Sequence, residues 1–290
     1  MAKVAFLGLG VMGYPMAGHL KKKGGHDVTV YNRTRAKAEQ WAKEYGGRHA
    51  GTPKEAAKDC DFVMMCVGND DDVRSVVFDD NGALAGMKKG AILVDHTTAS
   101  AVVAREVFEK SKSLGVGFID APVSGGQAGA VNGQLGIMCG GEEATFARAK
   151  PVIDVYAKMA ALIGAPGAGQ LTKMVNQICI VGVVQGLAEG IDFGLRAGLD
   201  MKLVLEVISK GAANSWQMEN RGQTMIDDKF DFGFATDWMR KDLGICLAEG
   251  AKNGAALPGT RMIEGFYREI QATGGGRWDS SALIRRLRKA

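Results

Sequence analysis

The fold of this chain is decided near its start, by the stretch K-V-A-F-L-G-L-G-V-M-G from Lys3 to Gly13. Its first five residues form an apolar run that predicts a buried strand, and residues 12–23 have the apolar spacing of a helix. The G-x-G-x-x-G pattern lies between them. That pattern alone is weak in a chain with 41 glycines, but a strand before it and a helix after it are the context of a dinucleotide-binding βαβ unit.

The three glycines have different predicted roles. Gly8 permits a tight turn, Gly10 lets the backbone approach a pyrophosphate, and Gly13 lets the helix pack closely on the strand. The unpaired N–H groups and partial positive charge of the helix N-terminus favour phosphate binding. We therefore predict that the whole loop contacts the cofactor, through Gly8, Leu9, Gly10, Val11, Met12 and Gly13.

The second predicted strand, residues 27–31, indicates which cofactor binds. NAD-specific folds usually end this strand with Asp or Glu, which binds the ribose 2′-hydroxyl. Here the strand is followed by Asn32, Arg33 and Thr34 instead. A guanidinium grips a 2′-phosphate well, and the amide and hydroxyl can donate hydrogen bonds to it. The sequence predicts NADP(H) in preference to NAD(H).

Alternating strands and helices continue through the first half of the chain. Such alternation predicts right-handed βαβ units and a parallel sheet with helices on both faces. The further strands are expected over residues 62–67, 91–94, 116–119 and 135–139, and a helix over 142–158. After Gly164 no strand is predicted, and a long apolar helix over 170–195 leads into shorter helices. We expect an α/β Rossmann domain over 1–164 and an all-α domain over 165–290, joined by that long helix.

Composition excludes several classes of function. The net charge is +4, with 36 basic and 32 acidic residues, which is too balanced to indicate binding to nucleic acid or a membrane. Five scattered cysteines without a C-x-x-C pair indicate neither a disulfide framework nor a metal site, and they suit a reducing, cytoplasmic compartment. The basic run at the end of the chain, Arg285, Arg286, Arg288 and Lys289, is interpreted as a solvated tail.

The segment D-A-P-V-S-G-G, residues 120–126, follows a predicted strand at the place where open α/β sheets bind ligands. Ser124, Gly125 and Gly126 can present a hydroxyl and successive N–H groups to a carboxylate. An ordinary glycine-rich turn is the structural alternative.

Lys173 lies in the first turns of the long apolar helix, with Asn176 and Gln177 on the same face. An ammonium held against a reacting oxygen can donate or accept the proton that accompanies hydride transfer. We expect burial and the helix N-terminus to lower its pKa towards the working pH. The alternative is a lysine that extends into solvent.

These segments together resemble the β-hydroxyacid dehydrogenase family, which includes 3-hydroxyisobutyrate dehydrogenase, tartronate semialdehyde reductase and the glyoxylate and succinic semialdehyde reductases. The resemblance covers nearly the whole chain. It rests on four ordered motifs: F-L-G-L-G-V-M-G-Y-P-M-A-G-H from Phe6, D-A-P-V-S-G-G, G-x-G-x-x-x-K-x-x-N from Gly167, and K-D-L from Lys241. It implies transfer of a hydride between NADP(H) and a small β-hydroxy acid or semialdehyde, in a homodimer or homotetramer.

The resemblance also assigns roles to residues. Lys173 would be the catalytic acid/base, and Ser124 to Gly126 would hold the substrate carboxylate. Asn176 would orient the substrate or the lysine. The remaining matches place Thr97, Val67 and Lys241 at the cofactor, and Phe234 and Asp242 at the substrate. Gln177 is also expected at the substrate.

One departure leaves the substrate open. Many family members have Asn at the position of Gln177, and Gln is a longer amide with the same donors and acceptors. Three rival functions also remain. A decarboxylating 6-phosphogluconate-type dehydrogenase needs a larger helical domain, and an imine reductase typically lacks the lysine. The third rival is a catalytically inactive NADP-binding module that acts as a sensor or scaffold.

Overall fold

The computed structural model describes residues 1–288 of the chain. The chain divides into two compact units, one from Met1 to Lys173 and one from Met174 onward. The first unit contains a nine-stranded sheet. Its strands are β1 (Lys3–Leu7), β2 (Asp27–Tyr31), β3 (Arg48–His49), β4 (Phe62–Met65), β5 (Ile92–Asp95), β6 (Gly117–Asp120), β7 (Val123–Ser124), β8 (Leu135–Gly141) and β9 (Ala157–Gly164).

Seven helices accompany these strands. They are α1 (Gly13–Lys22), α2 (Arg35–Tyr45), α3 (Pro53–Ala57), α4 (Asp70–Phe78), α5 (Ala101–Ser113), α6 (Gly126–Asn132) and α7 (Glu143–Ile153), with a 3₁₀ turn at Ala83–Ala85. Several of these helices have a side chain as N-cap: the Asn69 side chain accepts from the N–H of Asp72, and the Ser100 side chain accepts from the N–H of Val103. Apolar clusters on both faces of the sheet form the core of this unit.

The strand order is β3-β2-β1-β4-β5-β6-β8-β7, and β9 pairs with β8. From β3 to β6 all neighbours are parallel, as expected of a Rossmann sheet. The predicted parallel sheet is therefore observed up to β6, and beyond it β8 runs antiparallel to both β6 and β7. The strand β8 thus runs back along both of them: its last residues pair with the end of β6, and Gly136 and Ile137 pair with β7.

The predicted helix over residues 142–158 is too long. The helix α7 ends at Ile153, and β9 begins four residues later. The strand β9 adds a parallel partner to β8 through pairs such as Ile137 with Ala160. The run from Met159 to Ile163 is apolar, but alanine, methionine and leucine favour helices, so this composition does not distinguish a strand from the end of a helix.

The long helix α8 (Ala168–Arg196) begins in the first unit and continues into the second. The boundary between the compact units falls at 173/174, inside this helix, whereas the sequence placed a domain boundary at 164/165. By length and composition alone α8 could cross a membrane, but 39% of its most apolar window is buried. A core helix of a soluble protein passes the same test, so this is weak support for a membrane span.

The second unit is helical throughout its described residues. Its elements after α8 are α9 (Met201–Ile208), α10 (Trp216–Ile226), α11 (Thr236–Asn253), α12 (Pro258–Ala272) and α13 (Ile284–Arg288), with 3₁₀ turns at Gly275–Arg277 and Ser280–Leu283. A single apolar cluster between these helices forms its core. An α/β domain followed by an all-α domain along a long joining helix is thus the observed architecture.

The interpretation of the basic C-terminal run as a solvated tail is wrong for three of its members. Arg285 pairs with Asp228 at 2.8 Å and stacks on Trp278, Arg286 pairs with Glu269, and Arg288 also contacts Asp228. They fasten the last helix to its own unit. Lys289, the fourth member, lies outside the described residues.

Candidate functional site

The glycine loop after β1 has the geometry expected of a phosphate-binding turn. Gly8 has φ +95°, and a Cβ there would collide with the carbonyl oxygen of Cys66. A Cβ on Gly13 would collide with the carbonyl oxygen of Gly8. A Cβ on Gly10, by contrast, would meet nothing within 4 Å. Open space at the middle glycine, with close packing at the other two, matches their three predicted roles.

Asn32, at the end of β2, holds this loop in place. Its Oδ1 accepts a hydrogen bond from the N–H of Leu9 at 2.8 Å, and its Nδ2 donates to the carbonyl of Thr34 at 3.1 Å. Both ends of the amide are therefore bonded to the chain itself. Leu9 is buried, whereas Val11 is exposed, so these two loop residues differ in how much side chain they can offer a ligand.

Arg33 extends into solvent beside the glycine loop, with 87% of its side chain exposed. Its Nη1 lies 3.2 Å from Oδ1 of Asp72, in the first turn of α4. The end of β2 itself has no carboxylate, but α4 places the carboxylate of Asp72 beside Arg33. Sequence reasoning missed it, because 39 residues separate the partners.

The ends of β4 and β5 are joined through Thr97. This residue is fully buried, its hydroxyl accepts from the N–H of Val67 at 3.0 Å, and its N–H donates to Asp95 at 2.8 Å. Burial raises the pKa of Asp95 to about 7. Thr97 and Val67, both predicted at the cofactor, thus lie next to each other in the first unit.

A buried pair that sequence reasoning missed supports the D-A-P-V-S-G-G segment. His96 Nδ1 lies 2.7 Å from the carbonyl oxygen of Ala121, to which it donates, so His96 Nε2 accepts from the Tyr156 hydroxyl at 2.7 Å. Burial lowers the pKa of His96 to about 4, which keeps the ring neutral. This neutral histidine connects Tyr156 to the backbone of Ala121, in the segment that leads to the turn at Gly125.

That turn has a backbone that only glycine adopts readily. Gly125 has φ +125° and Gly126 has φ +60°. Ser124 ends β7, is half-buried and pairs with Gly136 on β8. A hydroxyl followed by two exposed glycines fits the predicted carboxylate-binding turn.

Lys173 is the sixth residue of α8 and only 7% exposed. Burial of a lysine to this degree argues against the alternative of a side chain that extends into solvent. The expectation that the Lys173 side chain is buried near the start of the long helix is confirmed, and its role as acid/base stays a prediction.

In the second unit, a chain of polar side chains connects α8 to α11. Asn176 donates to Gln177 at 2.8 Å, and Gln177 donates to Oδ2 of Asp242 at 2.6 Å. The other oxygen of Asp242 lies 3.0 Å from Lys241 Nζ. Asp242 is 2% exposed, so this carboxylate has a cation and an amide as partners. Asn in place of Gln177 is shorter by one methylene and would lose the contact with Asp242.

Phe234, also predicted at the substrate, lies half-buried in the segment before α11. Its N–H donates to Oδ2 of the buried Asp279 at 2.8 Å. The same carboxylate pairs with Arg221 at 3.2 Å, and that guanidinium lies over Trp216 and Phe232. Asp279 and Arg221 hold the backbone that carries Phe234.

The five cysteines differ in their exposure. Cys60, Cys139 and Cys246 are buried, Cys66 is half-buried and Cys179 is exposed. Within residues 1–288 there is no group of three or more His, Cys, Asp or Glu side chains placed to hold a metal ion.

Comparison with known proteins agrees with both units. Residues 3–164 match the model of the NAD-binding domain of 6-phosphogluconate dehydrogenase, and residues 167–287 match that of the NAD-binding domain of NADP-dependent 3-hydroxyisobutyrate dehydrogenase. An uncharacterized oxidoreductase of Shewanella frigidimarina is 63% identical over 290 residues, covering 100% of this chain and 99% of its own.

Two similar proteins that are named for an activity have lower sequence identity. The 2-hydroxy-3-oxopropionate reductase of Escherichia coli is 33% identical over 98% of this chain and 97% of its own. Among solved structures, 3-hydroxyisobutyrate dehydrogenase of Mycobacterium tuberculosis with L-serine has a TM-score of 0.89 and 32% identity, covering 99% of both chains.

Proposed function

The chain belongs to the β-hydroxyacid dehydrogenase family, and from that premise we propose that it is an NADP(H)-dependent reductase of small carboxylate-bearing semialdehydes. Membership makes it an NAD(P)-dependent oxidoreductase that acts on CH–OH groups. The observation that carries the finer proposal is the buried Lys173 near the start of α8.

NADPH, when bound, supplies the hydride that reduces the carbonyl carbon. The Lys173 ammonium donates a proton to the carbonyl oxygen, so that an alcohol and a neutral amine result. In the oxidative direction the neutral amine accepts the hydroxyl proton. A buried amine suits both roles, because desolvation lowers the pKa of a lysine from its ordinary range towards neutrality.

The segment from Ser124 to Gly126 is proposed to bind the substrate carboxylate. A hydroxyl and two successive N–H groups are good partners for a carboxylate. Asn176, Gln177, Phe234 and Asp242 are proposed as further substrate contacts from the helical unit. Relatives named for 2-hydroxy-3-oxopropionate and 2-(hydroxymethyl)glutarate support a small hydroxy acid or its semialdehyde as substrate class.

The preference for NADP(H) over NAD(H) rests on the end of β2. Arg33 is exposed beside the glycine loop and β2 carries no acidic residue at its end, so a 2′-phosphate gains a cation. The open side of Gly10 leaves room for the pyrophosphate. Val67, Thr97 and Lys241 are proposed at the rest of the cofactor. Because the Thr97 hydroxyl is bonded to Val67, its proposed role is to shape that surface.

We also propose assembly into a homodimer or homotetramer through the helical unit. Phe193 on α8 is 73% exposed, and Leu203 and Val207 on α9 are 57% and 63% exposed. Exposed apolar side chains of this size favour burial against another surface. Light scattering coupled to gel filtration tests the subunit number. A cytoplasmic location stays a prediction.

A substrate panel tests the proposed function. NADPH and NADH consumption is followed with glyoxylate, succinic semialdehyde, methylmalonate semialdehyde and tartronate semialdehyde. We expect turnover with at least one of them and a higher kcat/KM for NADPH. Tight NADPH binding without any turnover would support the sensor or scaffold function, turnover only of cyclic imines would support an imine reductase, and a clear NADH preference would contradict the cofactor proposal.

A further inference from the structure

The start of α8 is fastened to the end of β6 by a buried carboxylate. Asp120 is fully buried, and its two oxygens accept from the N–H groups of Gly167 and Gln170, at 2.8 and 2.9 Å. These are N–H groups at the helix N-terminus, which have no partner within the helix. Burial raises the pKa of Asp120 to about 6, while the N–H donors oppose that rise. The first turn of α8 is thereby fixed at one point of the sheet edge.

A second fastening runs through the side chain of Gln170. Its Nε2 donates to the carbonyl of Thr97 at 2.7 Å, and its Oε1 accepts from the N–H of Ala99 at 3.0 Å. Gln170 is 1% exposed. A flipped amide would place its NH₂ group against the N–H of Ala99 and its oxygen against the carbonyl oxygen of Thr97. The two partners therefore determine the orientation of this side chain.

The segment that Gln170 holds is itself tied to the neighbouring strands. Thr97 bonds to Asp95 at the end of β5 and to Val67 after β4. Gln170 therefore connects α8 to the loop whose residues are proposed to shape the cofactor surface. The two residues that form this connection, Gln170 and Thr97, are 73 positions apart in the sequence.

Lys173 follows Gln170 by three residues, so both lie on one face of the helix, about 4.5 Å apart along its axis. We propose that Gln170 is a positioning residue, which sets the place of Lys173 relative to the segment from Thr97 to Ala99. The proposal rests on Lys173 as acid/base. A displacement of about 1 Å at a reacting group can reduce the rate about 10²-fold, and hydrogen bonds at both ends of one amide prevent such a displacement.

The first test is Gln170→Met, which keeps the length and approximate volume of the side chain but removes both hydrogen bonds. Gln185→Met is the matched control, because Gln185 is a buried glutamine on the same helix and its Nε2 donates to Glu189 at 2.7 Å. We expect kcat per NADPH-binding site to fall about 10–100-fold in Gln170→Met, with the Kd for NADPH changed less than about 3-fold. Gln185→Met should retain the parent kcat.

A purely structural glutamine would give another result. It would lower Tm and the yield of binding-competent protein, while each remaining site kept its kcat and its pH profile. Values of kcat for Gln170→Met within about 2-fold of Gln185→Met would therefore overturn the proposal.

Gln170→Glu adds a readout that a structural role does not move. A protonated carboxyl can donate to Thr97 and accept from Ala99 as the amide does, whereas an ionised one cannot donate. The ratio of its kcat to that of the parent, measured for semialdehyde reduction, should therefore be highest at acidic pH and fall as pH rises. A ratio independent of pH would contradict the proposal.

Lys173→Ala separates the proposed function from the positioning role of Gln170. If that variant keeps most of its activity, the proposed function fails, whatever Gln170 does. If Lys173→Ala is inactive and Gln170→Met is as active as its control, only the positioning role fails.

Discussion

Two parts of the Rossmann unit face ligands in opposite ways. At the β1–β2 end, the glycine loop has open space at Gly10, and Arg33 is exposed with one carboxylate neighbour. At the β5–β6 end, Asp95, Asp120 and Gln170 are buried and bonded to the backbone. The groups at the first end can bind and release a dissociable ligand. The second is a rigid frame, in which polar groups hold other parts of the chain rather than a ligand.

The difference has a physical reason. A ligand that binds and leaves needs donors and charges that are hydrated without it, and exposed cations meet that need at little cost in stability. A group that positions a catalytic side chain must keep its geometry through every cycle. Buried hydrogen bonds do this, because breaking them leaves unpaired polar groups away from water.

Removal of a frame residue should give the largest loss of stability. Asp120→Ala leaves the N–H groups of Gly167 and Gln170 without their acceptor, at a cost of about 1–3 kcal/mol for each. We expect a fall of several degrees in Tm, measured by calorimetry, together with reduced kcat. Arg33→Ala serves as the control from the other end and should leave Tm nearly unchanged. Equal Tm values for the two variants would remove the distinction between frame and ligand-binding edge.

Arg33→Ala should instead affect cofactor choice. Loss of the cation is expected to raise KM for NADPH about 10–100-fold and to leave KM for NADH within about 2-fold, since only NADPH carries the 2′-phosphate. Asp72→Asn tests the same place from the opposite side. Because it frees Arg33 from a competing carboxylate, it should lower KM for NADPH a few-fold. Parallel changes for both cofactors would contradict the role of Arg33.

The frame should also have a characteristic pH dependence. The pKa of Asp95 is raised from 3.8 to about 7, so the folded protein binds its proton more tightly than the unfolded chain does. Its contribution to stability is present below about pH 4 and is lost as pH rises through about 7. Asp95→Asn cannot titrate. We therefore expect the Tm of the parent relative to Asp95→Asn to decrease from pH 4 to pH 8; a constant or increasing difference would contradict it.

The exposed end was largely predictable from sequence and the frame was not. The glycine spacing and the absence of a carboxylate on β2 are local patterns, and their meaning follows from neighbouring residues. Strand and helix positions followed from periodicity in the same way. Asp120 lay inside a recognised motif, yet its role as the acceptor for α8 depends on residues 47 and 50 positions away.

The remaining misses have the same origin. Asp72 near Arg33 and the His96–Tyr156 pair depend on contacts between distant segments, which periodicity does not report. The strand β9 was missed because its alanine, methionine and leucine residues favour helices more than strands. Gln177 was noticed only as a departure, and its bond to Asp242 required the three-dimensional arrangement of α8 and α11.

In the proposed reaction, Lys173 moves the proton that accompanies hydride transfer. Single-turnover oxidation of bound NADPH by a substrate identified in the panel, compared between the parent and Lys173→Ala, tests it most directly. We predict a rate about 10²–10⁴-fold lower in the variant, with the Kd for NADPH, measured by its fluorescence, nearly unchanged. A rate within a few-fold of the parent at saturating NADPH would show that another group moves the proton.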